Sequence, residues 1–150
     1  MQSNADIEKA IRDYLPHIIH LSLSTSINNY PWTSEVHYAF DSELNLYFLS
    51  KPSRRHSFEI IANPHVSGTI VKQHTLEQNP TGVYFEGEAK LVDSNNDEAF
   101  RVYSERFGTT KQWIDDEAKD PDGHRFYKII VSEYYVFDEE KYYLPWIQTN

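Results

Sequence analysis

One hundred and fifty residues suffice for a single domain, and zero cysteines exclude disulfides, thiolate catalysis, iron–sulfur clusters and the common structural zinc sites. A formal net charge of -9 argues against nucleic acid as a partner, because a phosphate backbone needs a basic face. No apolar run of about 18 residues offers a membrane span, and no export signal opens the chain, so a cytoplasmic protein is expected.

Residues 5 to 15 place Ile7, Ile11, Tyr14 and Leu15 at helical spacing with charges between them, which predicts a short amphipathic helix ended by Pro16. From His17 the period becomes two. Ile19, Leu21 and Leu23 alternate with polar residues in a strand reaching about Ile27, and Asn28 to Pro31 turn the chain. Trp32 to Phe40 and Leu44 to Ser50 are separated by Asp41, Ser42 and Glu43 at hairpin distance, predicting a central hairpin. After Pro52 the pattern is helical, with Ser53 as N-cap, Phe58, Ile61 and Ala62 on one side, and Asn63-Pro64 as the stop.

His65 to Lys72 is β-branched and reads as a strand, Gln73 to Thr81 as a loop, and Val83 to Leu91 as a two-faced strand. Ser94 and Asp97 resemble a capping box for a helix over 95–107, closed by Gly108. A second helical stretch covers Lys111 to Ala118, and Asp120-Pro121-Asp122-Gly123 is a turn. Phe126 to Phe137 is nearly continuous β-type sequence, as in a strand covered on both faces. The tail from Asp138 follows no clear period. The whole chain, 1–150, reads as one α+β domain: a mainly antiparallel six-stranded β-barrel with two or three flanking helices. With five glycines there is no Gly-rich turn for a dinucleotide pyrophosphate.

The chemistry concentrates where a strand runs into a helix. Lys51, Arg54 and Arg55 cluster in an otherwise acidic chain, beside Ser50, Ser53 and His56. Free amides at a helix start favour an anion, hydroxyls donate to it, and guanidinium forks match two phosphate oxygens. The blander reading makes Ser53 a simple cap and pairs the arginines with acids such as Glu59; on the local pattern the two readings weigh equally. His17 and His20 point to opposite faces of a strand and lack a third ligand, so no metal is assigned. Asp115, Asp116 and Glu117 read as a solvated face, and Trp32, Trp113 and Trp146 as packing.

The segment YFLSKPSRRHSFEIIANPHVSGTI, preceded by PWTSEVHYAFD and followed by GVYFEGEAKLV, resembles the pyridoxamine 5′-phosphate oxidase-like FMN-binding split barrels, especially their small bacterial branch. The match runs over roughly residues 10 to 137, and its specificity lies in Ser50 to His56, Asn63-Pro64 and Gly87-Glu88. The resemblance implies a split barrel in which Ser50, Lys51, Ser53, Arg54, Arg55 and His56 hold the FMN phosphate and ribityl chain. It implies that Val36, His37, Tyr38 and Ala39 line the ring, and that a homodimer carries its flavins at the interface. The carboxy-terminal Arg-x-His-x-Arg stretch of true pyridoxamine phosphate oxidases is missing, which argues against that substrate. Gly82 stands where those oxidases tend to carry Gln.

The expected function is thus a flavin-dependent oxidoreductase acting on a small molecule, with no general acid or base assigned. The residues leave FMN and a deazaflavin both open as the cofactor. Two other classes compete: a haem-binding barrel using His37, His56 or His124 as axial ligand, and a non-catalytic small-ligand module.

Overall fold

Ser3 caps the first helix, α1 (Asn4–Tyr14): its hydroxyl accepts from the Asp6 amide while the Asp6 carboxylate accepts from the Ser3 amide. The structure, a computed structural model, describes residues 3–93, 95–139, 141–142 and 145–148. Ile7 and Ile11 face inward as their spacing predicts, and Leu15–His17 follow as a 3-10 turn containing Pro16. No described helix is long and apolar enough to cross a membrane.

Asn28 and Asn29 take φ of 52° and 65°, the pair of left-handed residues that a two-residue hairpin turn requires. That turn sets a full ladder between β1 (His20–Ile27) and β2 (Tyr30–His37), from Ile27↔Tyr30 to His20↔His37. Ile19 precedes β1 and is exposed, so the buried alternation starts at Leu21. The expected central hairpin is correspondingly shortened: after a break at Tyr38, only β3 (Ala39–Phe40) pairs with β4 (Leu46–Ser50). The break has a cause. The Tyr38 amide donates to Ile19 O at 3.1 Å and its hydroxyl to Leu15 O at 2.8 Å, drawing the residue into the core.

The remaining elements are α2 (Arg55–Ala62), β5 (His65–Val71), β6 (Thr81–Leu91), α3 (Asp97–Phe107), α4 (Lys111–Lys119), β7 (Arg125–Asp138), β8 (Lys141–Tyr142) and β9 (Trp146–Ile147). One sheet runs β2-β1-β5-β6-β7-β4-β3, with β8 and β9 also on β7, and every pairing is antiparallel. The molecule is an α+β half-barrel of curled sheet. Six of its strands are long, as expected; among the described residues three two-residue strands and four helices complete it.

Two readings of amphipathic character are corrected. Phe58 and Ile61 of α2 are 67% and 66% exposed, because the helix instead buries the side with His56, Ser57, Glu59 and Ile60, where His56 and Glu59 find hydrogen-bond partners. Strand β7 is covered on both faces only near Phe126 and Tyr127; beyond Ile129 it alternates, leaving Ile130, Tyr135 and Phe137 partly exposed. Helix α3 is capped by Asn96, which accepts from the Ala99 amide at 2.9 Å; Ser94 lies outside the described residues. Gly108 ends α3 at φ 69°, the left-handed value glycine adopts without penalty. The unplaced tail returns onto β7 through β8 and β9, where Trp146 is buried 5.7 Å from the Tyr134 ring.

A main core joins α1 to β1, β4, β5, β6 and β7, and a second packs α3 and α4 through Ala99, Tyr103 and Ile114 onto Tyr47 and Phe126. Arg106 fastens α3 to the turn after α1, donating to Ile18 O at 2.7 Å with its guanidinium 4.7 Å from the Tyr38 ring. These contacts set the α3–α4 corner opposite the start of α2.

Candidate cofactor-binding site

His56 rivets the curl of the sheet. It is buried at the start of α2, with Nε2 2.7 Å from Ser50 Oγ on β4 and Nδ1 3.1 Å from Ser34 Oγ on β2. One hydroxyl accepts from the ring N–H and the other donates to the bare nitrogen. In the Nε2–H tautomer Ser50 accepts from the ring and keeps its own proton for a ligand.

Burial, and then the charge of Arg54, hold the His56 pKa below its ordinary 6.5, against the opposing pull of Glu59. The unfolded chain therefore binds this proton more readily than the folded one. Its contribution to stability is full above 6.5 and is lost as pH falls through the lower folded value. Melting temperature measured against pH should decline in wild type as pH falls from 6.5 to the folded value, and His56→Gln should flatten the decline.

Beside His56 lies an open hollow of about 1290 Å³, large against the roughly 300–1,000 Å³ of ordinary ligand pockets. Its described lining includes Lys51, Arg54 and Arg55, against a single acid, Glu35, whose carboxylate accepts from Ser22. In a chain of net charge -9 this is a concentrated cationic surface. Helix α2 opens there with Arg54 as N-cap and no side-chain cap bond, so its first-turn amides are left to an incoming acceptor. Arg55 packs over Trp32, 4.2 Å from the ring centroid, and its Nε donates to Glu59 Oε1 at 3.1 Å. The pairing with Glu59 named by the blander reading is present for Arg55. It engages Nε and leaves the terminal fork as a donor pair.

The predicted residues divide three ways. Val36, His37, Ser50, Lys51, Arg54, Arg55 and His56 line the hollow. Tyr38 and Ala39 are buried in the two cores and do not line it, since β2 breaks at Tyr38 and turns both side chains inward. Ser53 is not the N-cap; it lies exposed, one residue earlier, bonded to Asp122.

The opposite wall comes from the α3–α4 corner: Tyr103, Phe107, Gly108, Thr109, Thr110 and Trp113, with His124 beyond. Phe107 stacks on His37 at 5.6 Å and 19°. Tyr103 and Phe107 sit at i,i+4, which reads as ordinary core packing, so their spacing carried no ligand signal. His124 is oriented by Glu117, whose Oε2 accepts from the His124 backbone and lies 2.7 Å from Nδ1; these bonds lower the Glu117 pKa. The acid read as part of a solvated face thus has a fixed partner. The described residues contain no cluster of three metal-ligating side chains.

The model of the family described as pyridoxamine 5′-phosphate oxidase matches residues 7–138. The chain belongs to this family. A UPF0306 protein of Yersinia pestis is 27% identical over 97 residues, 63% of this chain and 65% of that protein, so the match spans less than two thirds of the relative. Among solved structures, the haem storage protein HutZ of Vibrio cholerae superposes with a TM-score of 0.69 at 21% identity, covering 87% of this chain and 93% of that one. A FAD-binding protein of Mesorhizobium loti does so at 0.66 and 19% identity, covering 85% and 89%. At these identities the likenesses establish the split-barrel fold.

Proposed function

We propose that the chain binds FMN in the hollow and serves as a flavin-dependent oxidoreductase for a small substrate, as one half of a homodimer. The observation that carries this is the cationic hollow at the uncapped start of α2 in an acidic chain. Lys51, Arg54 and Arg55 neutralise a phosphate dianion, Ser50 donates to it, and His56 holds Ser50 in place. Val36, His37 and Trp32 offer a flat wall for a ring, and Phe107 keeps His37 in its plane. When bound, a flavin supplies hydride and electron transfer, and the protein's part is to orient the ring and exclude water. The hollow is open, and Tyr84, Tyr135 and Phe137 form an exposed aromatic face on the sheet, which supports closure by a second copy.

One observation favours haem as a second reading. His124 faces the hollow with Nδ1 held by Glu117, which would leave Nε2 to ligate a haem iron. An absorption spectrum of the protein as purified, repeated after separate additions of FMN and haem, decides between them. The proposal expects a two-banded flavin spectrum that persists through gel filtration. A Soret band with no retained flavin overturns it.

A further inference from the structure

An anion already sits on the donors at the entrance to α2. Ser53 donates its backbone N–H to Asp122 Oδ1 at 3.0 Å and its hydroxyl to Oδ2 at 2.7 Å. Lys51 and Arg54 add favourable charge, and all these contacts lower the Asp122 pKa, the Ser53 bonds most. Two oxygens of one anion meet an N–H, an O–H and two cations; Lys51 and Arg54 line the hollow and are cations placed on the phosphate above, and Ser53, between them in the chain, adds the N–H and O–H just outside its lining.

The carboxylate is presented by a preformed turn. Within Asp120–Gly123, the Asp122 amide donates to Asp120 Oδ1 at 2.9 Å. From behind, Arg125 donates to Asp120 O at 2.7 Å and to Glu117 O at 2.8 Å. At Gly123 a Cβ would fall 2.0 Å from Glu117 O, so the chain passes closer than any side chain allows. A turn braced in this way holds Asp122 at Ser53 without a ligand.

We infer that Asp122 is a built-in competitor for the cofactor phosphate, and that loading proceeds by exchange of this carboxylate for the phosphate on Ser53. Two anions cannot share one N–H and one O–H, so an incoming group must outbid a carboxylate. A phosphate monoester does so through its second charge and third oxygen; a carboxylate ligand or a neutral one does not. Asp122 therefore sets the affinity for ligands that carry a phosphate ester, and leaves untouched those that make no contact with Ser53. Because His124 follows the same turn and lines the hollow, the exchange also reaches the opposite wall. The inference rests on the phosphate placement proposed above.

The test is calorimetric titration of the full chain, as wild type, Asp122→Ala and Asp122→Asn, with FMN, riboflavin and inorganic phosphate. Removing the competitor should tighten FMN by about tenfold or more, the scale of one charge-assisted contact. Riboflavin affinity should stay unchanged, and Asp122→Asn, keeping shape without charge, should fall between. Equal or weaker FMN binding in Asp122→Ala overturns the competitor while leaving FMN as the cofactor. If no variant binds flavin but inorganic phosphate binds more tightly to Asp122→Ala, the competitor stands and the flavin reading falls. No gain with any of the three ligands overturns the competitor.

Discussion

The double variant Arg54→Ala/Arg55→Ala should bind FMN at least about a hundredfold more weakly than wild type, by calorimetry or flavin fluorescence quenching. Hydrogen bonds to charged groups contribute roughly 1.5–3 kcal/mol each, and about 1.4 kcal/mol is tenfold in affinity. Two such contacts would give more, but both arginines are exposed and partly screened by water, which sets the lower figure. Arg55 also pairs with Glu59, whose side chain is 4% exposed and otherwise accepts from Thr25. Its loss therefore costs stability as well as affinity, since a buried carboxylate is left with one neutral partner. Riboflavin separates the two effects. It lacks the phosphate, so its affinity should change little if the arginines act on the ester, and should fall in parallel with FMN if the variant has merely loosened the hollow. Arg55→Lys keeps the charge beside Glu59 and should recover stability more fully than affinity, because a lysine lacks the fork.

Phe48→Ala is expected to be the most damaging single core change for the site and the fold together. The Phe48 side chain is fully buried, stacked on Tyr127 at 5.1 Å and 11°, and edge-on to His56 at 6.1 Å. Removing a buried phenylalanine costs about 3–5 kcal/mol through lost transfer energy and the cavity left behind. For a chain of this size that lowers the melting temperature by roughly 10 °C. It also removes the ring that keeps His56 against Ser50, so retained flavin should fall even at temperatures where the variant is folded. Phe48→Leu should lose only a minor part of either quantity, a difference readable by calorimetry and absorbance on the same samples.

Elements with strong local signals were legible from the residues: the period-two run to Ile27, the Asn28-Asn29 turn, the helix closed by Gly108, and the Asp120–Gly123 turn. Each depends on neighbours in sequence, and each recurs in the structure. What failed depended on distant partners. The central hairpin shrank because Tyr38 is captured by Leu15 and Ile19, a long-range polar contact with no local pattern. Phe58 and Ile61 share one side of α2 as their spacing predicts, but it is the exposed side: His56 and Glu59 have partners on β4, β2 and β1 that compensate their burial, so the helix turns that face in.

The candidate site shows the same division. Ser50, Lys51, Arg54, Arg55 and His56 were visible as a basic cluster at a strand-to-helix junction, and all line the hollow. The wall of Tyr103, Phe107 and Trp113 was hidden, because aromatic residues at helical spacing look alike whether they face a core or a ligand. Ser53 was misassigned for a comparable reason: its partner Asp122 is 69 positions away and belongs to a turn whose sequence announces only the turn.

A crystal structure of the protein with FMN tests the central claim most directly. The account predicts phosphate oxygens within about 3 Å of the Arg54 and Arg55 guanidinium groups, the ring against His37, and the Asp122 carboxylate withdrawn from Ser53. A flavin seated elsewhere, or one whose phosphate faces solvent while Asp122 stays on Ser53, would contradict it.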